Sequence, residues 1–207
     1  MQQYRGMLAR MGNKEIDFNS DTLVWTLHTS TYTPNLDTHA NVSDLTNELS
    51  TGGGYTSGGL AIASPAMTYT AANSWSVSRA NSTAYNVGDV YRPASANGWL
   101  YRCVVAGTSA AAPPTFATVL GTTYADGTAT FETVGKGAVT FTCSNPSWAT
   151  ATFGPCRYAV LSDRQTGTTS TEPLIGLIDF GVDKTAGGGT FQITLNSVQG
   201  VLTYFLP

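Results

Sequence analysis

The chain has 207 residues, enough for one large domain or two small ones with usable cores. Only 11% of them are Asp, Glu, Lys or Arg, against about 25% in an ordinary soluble domain, and a surface so poor in charge predicts contact with a partner. The net charge is -3, so no surplus of Lys and Arg exists to neutralise phosphates or an anionic membrane, and neither nucleic acid nor a membrane is an expected partner.

The opening Met1-Gln2-Gln3-Tyr4-Arg5-Gly6 lacks the apolar core of a signal peptide, and no apolar stretch is long enough for a membrane helix, which predicts a chain made in a cytoplasm. Residues 1–19 read as an N-terminal arm, with Tyr4, Met7, Leu8, Met11 and Phe18 as the side chains that dock on a neighbour. Gly6 and Gly12 weaken a helix there. From Thr22 the pattern alternates, with Leu23, Trp25 and Leu27 on one side and Thr22, Thr26 and His28 on the other, as in a half-buried strand. Tyr32-Thr33-Pro34-Asn35 ends it, and residues 37–45 predict a short helical turn capped by Asp37 or Thr38. The glycines of Thr51-Gly52-Gly53-Gly54-Tyr55 and Ser57-Gly58-Gly59 predict loops between strands. A phosphate-binding loop is not expected, because no Lys-Ser or Lys-Thr pair follows and no strand and helix frame the glycines.

Between residues 79 and 135 the texture changes to short bursts of Gly, Pro and aromatic residues. Asn97-Gly98 and Asp126-Gly127 each suit a tight hairpin, since these residues tolerate positive φ. This stretch reads as a separate small β module inserted into a larger fold. The last third is strand-like again, with runs at residues 139–143, 157–161, 174–180, 190–195 and 201–206 separated by turn signals such as Asn145-Pro146, Gly154-Pro155 and Gly187-Gly188-Gly189. In residues 190–195, Phe191, Ile193 and Leu195 should face a core while Thr190, Gln192 and Thr194 face out. The expected fold is all-β: an antiparallel β-sandwich or jelly-roll-like domain, built from residues 20–78 and 136–207, with a small β-hairpin module at residues 79–135.

No constellation of catalytic residues stands out. Glycoside hydrolysis needs two carboxylates across a cleft, whereas Asp163, Glu172, Asp179 and Asp183 lie on or beside predicted turns and read as solvated. His28 and His39 lie near Ser30 and Asp37, but no strand-turn-helix nucleophile setting surrounds them. Cys103, Cys143 and Cys156 lack metal spacing; a Cys143 to Cys156 bridge is one reading, and a reducing cytoplasm favours buried thiols. The chain is therefore expected to be no enzyme and to hold no cofactor or metal.

The middle stretch carries Ala84-Tyr85-Asn86-Val87-Gly88-Asp89-Val90, Asn97-Gly98-Trp99-Leu100-Tyr101-Arg102-Cys103, Ala106-Gly107-Thr108-Ser109, Pro113-Pro114-Thr115-Phe116, and Asp126-Gly127-Thr128-Ala129-Thr130-Phe131. This string resembles a small repeat common in phage tail and virion proteins and akin to compact chitin-binding modules. The resemblance implies two short hairpins packed on a few aromatics, with Tyr85, Tyr101, Phe116 and Phe131 mostly in the core. It also implies glycan contact by stacking, for which Trp99 is the best platform, with Tyr101 and Tyr85 beside it.

The flanks carry Thr29-Ser30-Thr31-Tyr32-Thr33-Pro34-Asn35-Leu36-Asp37-Thr38-His39, Thr46-Asn47-Glu48-Leu49, Gly54-Tyr55-Thr56-Ser57-Gly58-Gly59, Arg157-Tyr158-Ala159-Val160-Leu161 and Leu174-Ile175-Gly176-Leu177-Ile178-Asp179-Phe180-Gly181. In that order they resemble small phage head-decoration proteins. The resemblance implies a structural virion protein at the particle surface, a cement that covers joints between capsomers. Its implied partners are the major capsid protein and further copies of itself, a homotrimer favoured. The alternative expectation is a tail or fibre adhesin that binds host surface polysaccharide through the inserted module.

Overall fold

Short runs rich in β-branched and aromatic residues, punctuated by glycine turns, form sixteen strands in the computed structural model, which describes residues 1–207. They are β1 (Gln2–Gln3), β2 (Leu23–His28), β3 (Leu60–Ala61), β4 (Ala66–Ala71), β5 (Ala84–Tyr85), β6 (Val90–Tyr91), β7 (Leu100–Val105), β8 (Gly107–Thr108), β9 (Thr123–Asp126), β10 (Ala129–Gly135), β11 (Gly137–Thr142), β12 (Ser147–Ala151), β13 (Cys156–Asp163), β14 (Leu174–Lys184), β15 (Gly189–Gln192) and β16 (Leu202–Leu206). One α-helix, Met7–Gly12, and two 3-10 turns complete the structure. The protein is all-β, built on antiparallel strand pairs.

Contacts divide the chain into two compact units. Unit 1 comprises Met1–Ala66 and Cys143–Leu195; unit 2 comprises Met67–Thr142 and Asn196–Pro207.

Unit 1 is organised by a five-stranded sheet in the order β1-β14-β13-β2-β3. β2 and β13 pair over six residues without a slip, from Tyr158 opposite His28 to Asp163 opposite Leu23. Residues directly opposite share a face, so Leu23, Trp25 and Leu27 lie with Asp163, Leu161 and Ala159, while Val24, Thr26 and His28 lie with Ser162, Val160 and Tyr158. The half-buried strand predicted from Thr22 forms at Leu23–His28 and is buried along its whole length, with Thr22 exposed just ahead of it. Its polar face is covered by later segments: His28 contacts Thr46 through a 2.8 Å hydrogen bond from Nδ1 to the carbonyl, Tyr32 lies beside the His28 ring, and Gly59 sits against Val24 and Thr26. Tyr4, Tyr32, Val42, Val160, Leu174 and Leu177 form one apolar cluster of this unit. A second sheet of two strands, β12 with β15, carries Trp148 opposite Phe191. The predicted in-and-out pattern at residues 190–195 is present: Ile193 is buried, Phe191 and Leu195 are half-buried, and Thr190, Gln192 and Thr194 are exposed.

Two local expectations change here. The turn predicted over residues 37–45 with a cap at Asp37 or Thr38 is a 3-10 turn at Val42–Asp44 with Asn41 at its start, where the Asp44 carboxylate accepts the Ala40 amide at 2.8 Å and the Asn41 amide at 2.9 Å. Residues 1–19 also fold into unit 1: β1 adds to the edge of β14, and Tyr4, Met7, Ile16 and Phe18 are buried.

Unit 2 contains a four-stranded sheet in the order β6-β7-β10-β9, a three-stranded sheet in the order β16-β11-β4, and the β5-β8 pair. The unit therefore reaches beyond residues 79–135 on both sides and takes in the C-terminal strand. The physical reason is a shared apolar cluster. Val90 and Leu100 from the middle pack with Ala72, Trp75 and Ala138, and with half-buried Val134, Val198 and Phe205. Cutting at residues 78 and 135 would open that cluster to water.

The turn chemistry of this unit also departs from expectation. Asp126 pairs with Ala129 as the last residue of β9, so the two central residues of the hairpin are Gly127 and Thr128, and only Gly127 has positive φ (65°). The Asn97-Gly98 pair sits in the eight-residue connection between β6 and β7 rather than in a two-residue turn. There the Asn97 carboxamide donates to the Tyr101 hydroxyl at 2.8 Å and accepts the Trp99 amide at 3.1 Å.

Candidate functional site

The module residues named from sequence are mostly core. Tyr85, Tyr91, Tyr101, Cys103, Ala129 and Phe131 form a buried cluster, with Val77, Trp99, Phe116 and Tyr124 packed on it. Their edge-to-face contacts, such as Tyr85 on Phe131 and Tyr101 on Tyr124, are the favoured geometry for aromatic quadrupoles. The hydroxyls are satisfied: Tyr101 donates to the Ala117 carbonyl at 2.8 Å, and the Tyr91 and Tyr124 hydroxyls meet at 2.7 Å. Burial raises the pKa values of Tyr91, Tyr101 and Tyr124 above the ordinary phenol range, so these groups stay neutral.

Of the three residues proposed for glycan stacking, the structure leaves only Trp99 in reach of solvent. Tyr101 is 0% exposed and Tyr85 is 7% exposed, so neither offers a face to a sugar. Trp99 is half-buried and packs on the same aromatic cluster, and Lys136 Nζ lies 4.8 Å above its ring in a cation–π contact. A sugar ring stacking there has to displace that ammonium.

Sequence reasoning missed the most strongly built polar feature of unit 2. Arg79 and Asp126, with side chains 2% and 0% exposed, form a two-pronged ion pair: Nε donates to Asp126 Oδ2 at 2.6 Å and Nη2 to Oδ1 at 2.8 Å. The rest of the guanidinium is also matched. Arg79 Nη1 donates to Asn81 Oδ1, Nη2 to the Ala110 and Ala112 carbonyls, and Asp126 Oδ1 also accepts the Ala110 amide at 2.9 Å. Hydrogen bonding to Asp126 raises the Arg79 pKa above its ordinary value, so the guanidinium stays charged. In the sequence Asp126 is masked by the glycine that follows it, which draws the eye to a solvated turn.

In unit 1 the residues imagined as an acyl-transfer group are dispersed among different partners. His28 is held between Thr26 and Thr46, His39 Nδ1 meets the Tyr32 hydroxyl at 2.9 Å, Ser30 donates to Asp183, and Asp37 pairs with Arg5. Burial lowers the pKa of His28, so the ring is neutral, with one nitrogen donating to the Thr46 carbonyl and the other accepting from the Thr26 hydroxyl.

An open cleft of about 340 Å³ is lined by Thr29, Glu48, Leu49, Ser50, Gly52, Phe153 and Gly154. Its carboxylate is committed to the fold: Glu48 Oε1 accepts the Tyr55 hydroxyl and the Gly58 amide, each at 2.7 Å, and the Tyr55 oxygen accepts the Leu27 amide. The three cysteines are thiols, and burial pushes Cys143 and Cys156 up to about 11, which makes them poor nucleophiles.

Two of the four acids read as solvated turn residues are buried. Asp179 and Asp183 are exposed as expected, but Asp163 is 0% and Glu172 3% exposed. Asp163 ends β13 on the face of Leu23 and Trp25, so its carboxyl is taken out of water by strand register rather than left in a turn. Glu172 is balanced by Arg164 at 3.3 Å.

The arm residues are likewise distributed differently than predicted. Tyr4, Met7 and Phe18 are buried inside unit 1, where the Tyr4 hydroxyl meets that of Tyr32 at 3.0 Å. Met11 is half-buried, and Leu8 alone of the five is exposed. Comparison with protein-family models, with curated proteins and with solved structures returns no match.

Proposed function

We propose that the chain is a structural protein of a tailed-phage particle, a capsid decoration protein in which unit 1 is the shell-bound body. One observation carries this reading. The flank residues that resemble head-decoration proteins close on one another inside unit 1: Tyr32 on Tyr4 and His39, Glu48 on Tyr55 and Gly58, Gly59 on β2, and Tyr158 opposite His28. The motif thus builds a body rather than a reactive site, as a cement requires. Exposed apolar side chains on unit 2, Tyr69, Val87, Val105, Val119 and Leu120, give a charge-poor chain further surface for protein contact.

Particles lacking the protein should release their genome at a lower temperature than complete ones, and the purified chain should restore the original release temperature. Its copy number should scale with that of the capsid subunits. Unchanged release, or a few copies confined to the tail, would overturn the reading.

A second reading, glycan binding by a tail or fibre adhesin, rests on Trp99. In that case Trp99→Ala should abolish binding to a surface-polysaccharide array while Lys136→Ala strengthens it by clearing the ring. Binding indifferent to Trp99→Ala would rule the stacking site out.

A further inference from the structure

The chain contains a single Asn-Gly step, Asn97-Gly98, and it stands immediately before Trp99 in the connection between β6 and β7. Glycine after asparagine leaves the backbone nitrogen open to the side-chain carboxamide, because no Cβ blocks the approach. Here Gly98 has φ +83° with nothing within 4 Å of where a Cβ would stand, and Asn97 is exposed, so neither crowding nor burial shields the pair. Hydrogen bonds do. The Gly98 amide donates to Asn73 Oδ1 at 2.9 Å, the Asn97 carboxamide oxygen accepts the Trp99 amide at 3.1 Å, and the carboxamide nitrogen donates to the Tyr101 hydroxyl at 2.8 Å. The attacking nitrogen and the group it would attack are thus held by different partners.

We propose that Asn97-Gly98 is a covalent modification site, a succinimide-forming pair that Asn73 holds shut in the folded chain. In the reaction the Gly98 nitrogen gives its proton to solvent base and bonds to Asn97 Cγ, while the bond from Cγ to the side-chain nitrogen breaks and that nitrogen leaves as ammonia with a proton from water. Water then adds to one of the two ring carbonyls. Opening at Cγ leaves aspartate, and opening at the main-chain carbonyl leaves isoaspartate, so one water is consumed and one ammonia released. The first step needs the Gly98 N–H free to meet solvent base, and its bond to Asn73 withholds it.

The guard is anchored independently of the loop it guards. Asn73 lies in the 3-10 turn Ala72–Ser74, where the Ala72 amide donates to the Lys136 carbonyl at 2.8 Å and the Trp75 amide to the Ala72 carbonyl at 3.2 Å. Trp75 is buried, its Nε1 donates to the Val90 carbonyl at 3.2 Å, and its carbonyl accepts Arg92 Nε at 2.9 Å. Residues 72–75 therefore grip the β6–β7 connection at both ends, Arg92 and Gly98.

Opening the pair changes the ground under Trp99. A carboxylate at position 97 accepts but cannot donate, whereas the carboxamide donates to the Tyr101 oxygen. The proton of Tyr101 is already given to the Ala117 carbonyl at 2.8 Å, so the contact survives only if that proton turns away from Ala117.

Peptide mapping of the full chain, aged in mildly alkaline buffer, reads the reaction as isoaspartate and aspartate at position 97. Wild type should react at least about tenfold more slowly than a synthetic peptide of residues 94–104, in which these contacts are absent. Asn73→Ala should accelerate it about fivefold, the factor carried by one net hydrogen bond. Asn73→Asp keeps an acceptor for the Gly98 amide and should stay close to the wild-type rate. Because Asn73 is exposed, hydrogen exchange in β7 and β10 should be the same in Asn73→Ala as in wild type. Reaction of wild type at the peptide rate, an Asn73→Ala chain no faster than wild type, an Asn73→Asp chain as fast as Asn73→Ala, or acceleration that comes only with lost protection across β7 and β10 would overturn the guarded site.

Discussion

Asp126→Ala should unfold unit 2 at a much lower temperature than wild type, at a cost of about 3–5 kcal/mol, the range found when one partner of a buried ion pair is removed. The cost comes less from the lost attraction than from what remains: an Arg79 guanidinium 2% exposed, its Nε without an acceptor, and an Ala110 amide deprived of its carboxylate. A cavity at the β9–β10 hairpin adds to it. Asp126→Asn keeps the volume and one acceptor and should cost less. The exposed pair Arg102–Glu132, with side chains 42% and 27% exposed, is the internal control, since truncating a surface pair costs about 1 kcal/mol or less. Because the chain has two units, global melting alone is an insufficient readout. Hydrogen exchange in β7 and β10 reports unit 2 directly, and an Asp126→Ala chain whose β7 and β10 amides keep wild-type protection would contradict the assigned role.

Gly59→Ala should damage unit 1 through a different mechanism. Gly59 has φ +88°, and a Cβ there would meet the Trp25 carbonyl oxygen at 2.3 Å and side-chain carbons of Val24 and Thr26 at 2.8 Å. Left-handed backbone costs a non-glycine residue about 1–2 kcal/mol, and forcing atoms into a packed contact adds about 1–3 kcal/mol. The neighbouring Gly58 separates the two effects. It has φ +96° but nothing within 4 Å of the added methyl, so Gly58→Ala should show the backbone cost alone. Equal losses for the two variants, measured by denaturation and by exchange in β2, would mean that Gly59 does not make the close approach described.

The same two sites show where local pattern is informative and where it stops. Glycine clusters around residues 52–59 predicted loops, and loops are there, with five positive-φ glycines. That one of these glycines is pressed onto β2 is a fact about residues more than thirty positions apart. Asp126-Gly127 predicted a turn, and a turn is there, yet Asp126 belongs to the strand and faces inward to Arg79. The aromatic residues of the module were legible as core because large rings have no other stable place in so small a unit; Tyr85, Tyr101 and Phe131 are all buried.

By itself the sequence determined the class of fold and the placement of β2, β11, β13, β14, β15 and β16, because β-branched runs bounded by Gly and Pro restrict the backbone locally. It also determined the inward set at residues 190–195, since side-chain alternation has a period of two. Tertiary structure alone decided which second face is covered. β2 offers Thr26 and His28 where solvent was expected, and both are buried because the segment carrying Thr46 supplies an acceptor. It alone joined the C-terminal strand to unit 2 through the cluster around Trp75 and Ala138, and placed Asp163 on an apolar face by its register with Leu23. Alternation shows which side chains can be buried together, whereas the partner that covers them comes from distant segments whose pairing no local pattern encodes.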